Sequence, residues 1–236
     1  MATRGSGAWR VSSAALAAFV LGPLGAHLGV LPPRIGFLVF ALAGLLGLVS
    51  VPFAVVGIVR GRTLGARRAL LVGGLVSLVF LVLAANARSA PVINDVSTDP
   101  GNPPRFVAAA TLAANQGRDL AYPGPAVAAL QAAAYPDVQP LRLQASATDA
   151  FTRVEAAVRQ LPHTELTRID PVAHAIEGVA TSRVFRFQDD FVVEVRPDGT
   201  GSVVQMRSKS RDGRSDLGVN AARIRQTFAL VRGADS

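Results

Sequence analysis

The chain has 236 residues, 50% of them hydrophobic, which is enough for one or two domains. It has no cysteine, which excludes disulfides, thiol catalysis and thiolate metal sites. The formal net charge is +8, but residues 1–90 hold eight Arg and no acidic residue, whereas residues 91–236 hold fifteen Arg, one Lys and sixteen acidic residues. Because the basic excess lies wholly in the N-terminal part, we expect no nucleic-acid partner.

Three apolar stretches near the N-terminus are each long enough to cross a bilayer, which takes about 20 residues. They are residues 11–31, 35–59 and 69–87. The breaks between them are "PPR" at 32–34 and "RGRTLGARR" at 60–68. We therefore predict three transmembrane helices, with the lipid bilayer as a partner.

The two loops between these stretches differ in charge, and this difference predicts the orientation. The loop at 60–68 carries four Arg, whereas the shorter loop carries only Arg34. Arg-rich short loops face the cytoplasm. We therefore predict a multi-pass protein of the inner (plasma) membrane, with a cytoplasmic N-terminus and an extracytoplasmic C-terminal domain. In the alternative, Arg4, Arg10 and residues 11–22 form a cleaved signal peptide, and the domain stays on the same side.

Polar and small residues inside the spans are the next candidates for function. His27 lies near the outer end of the first span, either as an intramembrane functional group or as an interfacial side chain that reaches the headgroups. Small residues let helices approach closely. Those that stand out are Gly44, Gly47, Gly73 and Gly74. Residues 1–90 have no carboxylate, so we do not expect a channel or a pump.

The composition changes after the third span. Residues 88–104 are rich in Pro, Asp, Asn and Ser, which is typical of a linker with turns. The following Ala-rich part has helix-favouring stretches at 105–115 and 125–134, but too few large apolar residues for a core of its own. We expect this part to wrap the domain that follows. The predicted division is a transmembrane region at 1–87, a linker and wrapping segment at 88–134, and an α+β domain at 135–236.

The hydrophobic spacing of the last part predicts alternating strands and helices. A strand at 140–145 precedes a helix at 149–161, which Thr148 would cap. A second helix is predicted at 221–232, with Asn220 as its cap. Further strands are predicted at 164–169, 173–181, 183–187, 190–196 and 202–209, and "PDGTG" at 197–201 suits a hairpin turn. This order predicts an α+β fold, an antiparallel sheet with helices packed on one face.

Five stretches along residues 91–230 carry a family resemblance. They are "INDVSTDPGNPPRF", "YPGP", "AAYPDVQPL", "IEGVATSRVFRFQDDFVVEVRPDG" and "MRSKSRDGRSDLGVNAARI". In this order they resemble the motifs of the domain of unknown function family 1499, and the apolar spans are similar to those of its membrane-bound bacterial members. The resemblance implies an envelope protein without an established activity. Asn94 departs from the family's pattern, which has His there; if that His is a ligand or a base, this chain lacks it.

Motifs for catalysis or cofactor binding are missing. The chain has no phosphate-binding loop, no dinucleotide fingerprint and no nucleophile elbow. His163 and His174 lack the spacing of helical metal ligands. We therefore predict no cofactor and no metal. Asp189 and Asp190 precede a predicted strand and are interpreted as turn residues, and within a strand they would point to opposite faces.

A cluster of Arg residues near the C-terminus is the candidate site. Arg side chains beside a helix N-terminus form an anion site. The residues of the predicted anion site are Arg207, Arg211, Arg214, Ser215, Asp216, Asn220 and Arg223. The expected anions are lipid phosphate headgroups, carboxylated glycans or small carboxylates. The alternative is an internal network in which Asp212 and Asp216 neutralise these Arg side chains.

Two classes of function follow from these observations. The first is a membrane-anchored binding or scaffold module that recognises an anionic envelope component or an envelope protein. The alternative is an enzyme that modifies envelope lipid or glycan and uses Asp216 or Asp190 as acid or base. A pocketed Asp216 with a raised pKa would favour catalysis, whereas a carboxylate paired with Arg would favour structure or binding.

Overall fold

The computed structural model describes residues 7–61, 63–88 and 90–233. The chain divides into two compact units. The first comprises Met1–Ser89 and Arg183–Arg186, and the second comprises Ala90–Ser182 and Phe187–Ser236.

The first unit is built from three long helices, α1 (Gly7–His27), α2 (Pro33–Val59) and α3 (Thr63–Arg88). All three are long and apolar enough to cross a membrane. The helix α2 begins at Pro33, because a proline at the first helical position lacks only an N–H that would have no partner in the helix. The prediction of three N-terminal apolar helices is confirmed.

The glycines in these helices differ in what they face. A Cβ atom at Gly47 of α2 would lie 2.8 Å from Val76 Cγ1 of α3, and a Cβ atom at Gly73 would meet Ser50 Oγ of α2. A Cβ atom at Gly74 would have no heavy atom within 4 Å. Gly47 and Gly73 therefore lie where α2 and α3 approach closely.

The second unit contains a six-stranded antiparallel sheet. Its strands are β1 (Asp95–Ser97), β2 (Leu141–Leu143), β3 (Thr164–Asp170), β4 (Ala175–Thr181), β5 (Gln188–Asp198) and β6 (Gly201–Ser210). The order is β1-β6-β5-β4-β3, and β2 also pairs with β6, further along the edge that β1 occupies. Its helices are α4 (Ala108–Thr111), a 3-10 turn (Ala113–Asn115), α5 (Pro125–Ala134), α6 (Ala147–Val158) and α7 (Val219–Gly233).

One side of the sheet carries the apolar core. Alternate residues of β5 point to this side, where they meet the amphipathic faces of α6 and α7. The core includes Phe191, Val193 and Val195 of β5, Val154 and Val158 of α6, and Ile224 and Phe228 of α7. The predicted α+β fold, with an antiparallel sheet and helices, is confirmed.

Two element predictions are wrong at the start of β5. The predicted strand at 183–187 is a turn, and Ser182 N donates to Phe187 O across it at 2.7 Å. Asp189 and Asp190 lie inside β5 rather than in a turn. The strand extends this far because its residues pair with β6 as far as Ser210, and because buried side chains hydrogen-bond both carboxylates.

The helix boundaries also differ from the prediction. The cap of α6 is Ser146 rather than Thr148, since Ser146 Oγ accepts from Asp149 N at 3.1 Å. The helix α7 begins at Val219, two residues before the predicted start, and Asn220 is therefore its second residue.

Residues 98–122 cover the other side of the sheet. There, Glu177 of β4 accepts from the N–H groups of Val107, Ala108 and Ala109 at 2.9–3.1 Å. Glu177 is fully buried. A buried carboxylate of the sheet thus holds the start of α4 over the face opposite the apolar core.

Candidate functional site

A buried ion pair joins β1 to β6 beneath residues 98–122. Arg207 Nε donates to Asp95 Oδ1 at 2.9 Å and Arg207 Nη2 to Asp95 Oδ2 at 2.7 Å, and the side chains are 3% and 0% exposed. The guanidinium lies over Phe106 and Tyr122, 4.8 and 5.6 Å from the ring centroids. It also donates to Leu120 O at 2.8 Å. Arg207 therefore fastens the covering segment to the sheet.

The pKa of Tyr122 reflects its burial beside this ion pair. Burial of its hydroxyl, aided by the negative charge of Asp95, raises the pKa of Tyr122 to about 12, although the positive charge of Arg207 opposes the shift. The Tyr122 phenol therefore stays neutral at physiological pH.

Lys209 shares the carboxylate of Asp95 with Arg207. Because alternate residues of a strand point to the same face, Lys209 lies beside Arg207 on β6. Its Nζ donates to Asp95 Oδ2 at 2.9 Å, and its side chain is 14% exposed. One carboxylate thus serves two cations, and this cluster holds one more positive than negative charge.

A second ion pair lies next to this cluster, at the start of β5. Arg211 Nε donates to Asp190 Oδ2 at 2.9 Å and Arg211 Nη2 to Asp190 Oδ1 at 2.6 Å. Arg211 Nη1 also donates to Gln188 Oε1 at 2.7 Å, and Asn115 Nδ2 donates to Asp190 Oδ2 at 3.0 Å. Both oxygens of Asp190 are therefore engaged, and this pair is electrically balanced.

These side chains border an open cleft of about 230 Å³. The cleft is lined by Asn94, Asn115, Arg118, Asp119, Leu120, Asp190, Lys209, Ser210 and Arg211. Asn115 is 3% exposed, and its Oδ1 accepts no hydrogen bond from the part of the chain that the structure describes. Asn94, where the chain departs from the pattern of the family it resembles, donates through Nδ2 to Gly213 O at 2.7 Å.

The opposite face of the same strands carries a separate polar cluster. Asp189 points away from Asp190, as the strand alternation predicts, and accepts from Arg223 Nη2 at 2.7 Å. Arg223 Nη1 donates to Ser208 Oγ at 2.7 Å and to Asn220 Oδ1 at 2.9 Å. Arg223 and Asn220, in the first turns of α7, therefore face the sheet on the side opposite the cleft.

The carboxylate of Asp216 accepts hydrogen bonds from the backbone at the start of α7. Its Oδ1 accepts from Gly218 N and its Oδ2 from Asn220 N, both at 2.9 Å, and the residue is 8% exposed. Burial raises the pKa of Asp216, the N–H groups of Gly218 and Asn220 work against this shift, and the charge of Asp189 adds to it. The carboxylate thus occupies the helix N-terminus.

The predicted site residues are thus divided among three places. Arg211 lines the cleft, and Arg207 is buried beside Lys209. Asn220 and Arg223 lie on the opposite face with Asp189, where Asp216 accepts from the backbone of α7. Arg214 is exposed, and Ser215 Oγ donates to Pro91 O at 3.2 Å.

The predicted anion site did not include Lys209, Asn115 and Arg118, which line the cleft. Lys209 has a readable signal, because its spacing from Arg207 places both on one strand face. Asn115 and Arg118 have none, since they come from the Ala-rich segment and reach the cleft only through contacts with Asp190 and with the backbone of Arg211.

Metal binding has little support in the described residues. None of them form a group of three or more His, Cys, Asp or Glu side chains that could hold a metal ion. His163 and His174 lie outside the regular elements with positive φ values of 55° and 47°. The two His residues are therefore turn residues of the second unit.

Comparison with known proteins bears on the second unit. A family model described as "Protein of unknown function (DUF1499)" matches residues 95–230. No curated protein matches the chain. The match runs from the first residue of β1 into α7 and so includes the whole sheet. It confirms the resemblance drawn from the five stretches and does not extend to the three apolar helices.

Proposed function

This chain belongs to the DUF1499 family of proteins of unknown function, and we propose that it is a membrane-anchored module that binds a small hydroxyl-bearing anion in the cleft beside Lys209. The observation that carries the proposal is the sharing of Asp95 between Arg207 and Lys209. The three candidate spans provide the anchor.

The donors of Lys209 support an anion in the cleft. Buried charges require a partner of opposite sign, and Asp95 supplies one negative charge for two cations. Arg211 is neutralised by Asp190, Arg118 Nη2 lies 3.7 Å from Asp212 Oδ1, and Asp119 accepts from Ala121 N through Oδ1. An ammonium group has three donors. Lys209 Nζ thus has donors left for a phosphate or carboxylate in the cleft.

Asn115 supports a ligand that also carries a hydroxyl group. Its Oδ1 is buried and accepts no hydrogen bond within the described chain, and such an acceptor costs free energy while it is unpaired. A hydroxyl beside Asn115 would supply the missing donor. Phosphate monoesters, hydroxy acids and acidic sugars combine both features, and lipid headgroups and envelope glycans carry them.

The placement of the module is part of the same proposal. Four Arg in the loop at 60–68, against Arg34 alone in the first loop, support a cytoplasmic second loop and an extracytoplasmic folded domain. The proposed location is therefore the inner membrane, with the cleft on the outer side, where it meets the lipids or glycans of the envelope.

The geometry favours binding over catalysis. A general base needs a lone pair that faces a substrate. Asp190 gives both oxygens to Arg211 and Asn115, and Asp216 gives both oxygens to backbone N–H groups of α7. The raised pKa of Asp216 follows from burial at a helix start and does not require a reaction.

The test uses Lys209, the single lysine of the chain. Incorporation of ¹³Cε-lysine into the full-length protein in nanodiscs places one NMR reporter in the cleft and leaves the donors of Lys209 Nζ intact. We expect glycerol phosphate and glucuronate to shift the Lys209 ¹³Cε resonance saturably, and uncharged glycerol to leave it unchanged. If neither anion shifts this resonance saturably, the proposed ligand class is overturned.

Two variants separate binding from stability. Lys209→Gln should abolish the thermal stabilisation that the binding anions give the unlabelled protein. Arg225→Gln is the matched control, because Arg225 pairs with Asp137 at an exposed site that is not part of the cleft lining. Stabilisation that survives in Lys209→Gln would show that the anion binds elsewhere.

A further inference from the structure

Three exposed apolar side chains lie on neighbouring segments of the second unit. Val92 is 68% exposed, Leu217 51% and Val219 44%. They come from two adjoining segments, since Asp216 N donates to Ile93 O at 2.9 Å across them. These three residues form what we call the Leu217 patch, and exposed apolar patches mark interaction surfaces.

The backbone holds Leu217 in an uncommon conformation. Its φ is +55°, in the left-handed region that residues other than glycine rarely adopt. The Asp216 carboxylate fixes this turn through Gly218 N and Asn220 N. A strained backbone that presents a half-exposed leucine is a reason to infer a function for that side chain.

The covalent chain indicates which surface the Leu217 patch contacts. The candidate span α3 ends at Arg88, four residues before Val92. Four extended residues reach about 14 Å at most. The patch therefore begins within that distance of the end of a helix whose apolar length suits a bilayer. We propose that the Leu217 patch docks onto the lipid surface from which α3 emerges.

The chemistry around the patch suits a lipid surface. Arg214 lies in the loop before Leu217 and is exposed. A long basic side chain beside apolar residues places its charge among headgroup phosphates while its neighbours enter the acyl boundary. This inference rests on the membrane anchorage proposed above and is independent of the ligand of the cleft.

The absence of native cysteine allows a direct test in the full-length protein. Single nitroxide labels at Leu217→Cys and Val92→Cys report the patch in nanodiscs. Leu46→Cys, exposed on α2, is the lipid-facing reference. Val172→Cys, 93% exposed in the turn between β3 and β4, is the aqueous reference at the far end of the sheet. The measurement compares the accessibility of each label to oxygen with that to a soluble nickel chelate.

We expect the oxygen-to-nickel ratio at positions 217 and 92 to be several-fold higher than at 172 and close to that at 46. Equal ratios at 217, 92 and 172, with a lipid-like ratio at 46, would overturn the docking surface and leave the anchor intact. An aqueous ratio at 46 would overturn the anchor itself. A second copy of the chain on the patch would instead give spin–spin broadening that unlabelled protein removes on dilution, and this would also overturn the proposal.

Discussion

Two neighbouring carboxylates, Asp189 and Asp190, show how single residues organise the second unit. The strand alternation sends them to opposite faces, where Arg223 and Arg211 meet them at 2.7 and 2.6 Å. Most of the basic side chains that suggest an anion site are thus engaged in internal ion pairs. Lys209 differs from them, because it shares the carboxylate of Asp95 with Arg207.

Asp95→Asn should strongly destabilise the protein. The substitution leaves the buried Arg207 and the partly buried Lys209 without the carboxylate that they share. Breaking a buried pair in this way costs about 3–5 kcal/mol. Thermal unfolding of the full-length protein in detergent measures the loss. Asp137→Asn is the control, because that carboxylate pairs with Arg225 at an exposed site where an ion pair contributes about 0–1 kcal/mol. Similar melting temperatures for the two variants would contradict the importance of the Asp95 pair.

Asp216→Asn should change the pH dependence of stability. The raised pKa of Asp216 means that the folded state binds more protons than the unfolded state above the unfolded value of about 4. The stability that Asp216 contributes is therefore fully present below that value and is lost as the pH rises through the folded pKa. We expect Asp216→Asn to reduce this fall. Unfolding midpoints measured from acidic to neutral pH test it, and identical slopes for both proteins would refute the assignment.

At the scale of elements, the sheet separates two kinds of packing. Its inner face meets α6 and α7 through apolar side chains, which the helical and strand periodicities predict. Its other face meets residues 98–122 through charges, with Glu177 holding the start of α4 and Arg207 donating to Leu120 O. Residues 98–122 can therefore lack large apolar residues and still pack on the sheet, because hydrogen bonds to buried charged side chains of the sheet hold them there.

Two adjacent residues of α3, Gly73 and Gly74, provide a matched test of helix packing. Gly73→Leu should loosen the packing of α2 on α3, because even a Cβ atom at this position meets Ser50 Oγ. Gly74→Leu should have little effect, since a Cβ atom there would meet nothing within 4 Å. Thermal unfolding in detergent distinguishes them, and a similar melting temperature for the two variants would contradict this helix contact.

At the scale of the whole molecule, charge and hydropathy divide the chain in the same way. All eight Arg of residues 1–90 lie outside the apolar stretches 11–31, 35–59 and 69–87, whereas residues 91–236 have equal numbers of basic and acidic residues. In the proposed topology, this asymmetry would set the orientation during insertion.

The orientation can be tested with reporter fusions. Alkaline phosphatase fused after Ser236 should be active, because it folds only outside the cytoplasm and the third helix would export it. The same enzyme fused within the Arg-rich loop, at Gly61, should be inactive. An inactive fusion after Ser236 together with an active one at Gly61 would reverse the proposed topology.

The sequence by itself determined the three apolar helices, the family and the α+β class of the domain. These features rest on composition and on periodicities of two and 3.6 residues, which are local properties of the chain. The positions of Lys209 beside Arg207 and of Asp189 opposite Asp190 also follow from strand alternation once the strands are known.

Only the tertiary structure decided which charges pair with one another. Asp95 and Arg207 are 112 residues apart, and Asn115 and Asp190 are 75 apart. No local pattern relates such residues, because strand register and the path of the covering segment bring them together. A run of alternating charges near the C-terminus therefore has the same sequence pattern whether its side chains bind a ligand or pair with one another. In the fold, Arg211 pairs with Asp190 and Arg223 with Asp189. Lys209 lines the cleft and shares the Asp95 carboxylate with Arg207.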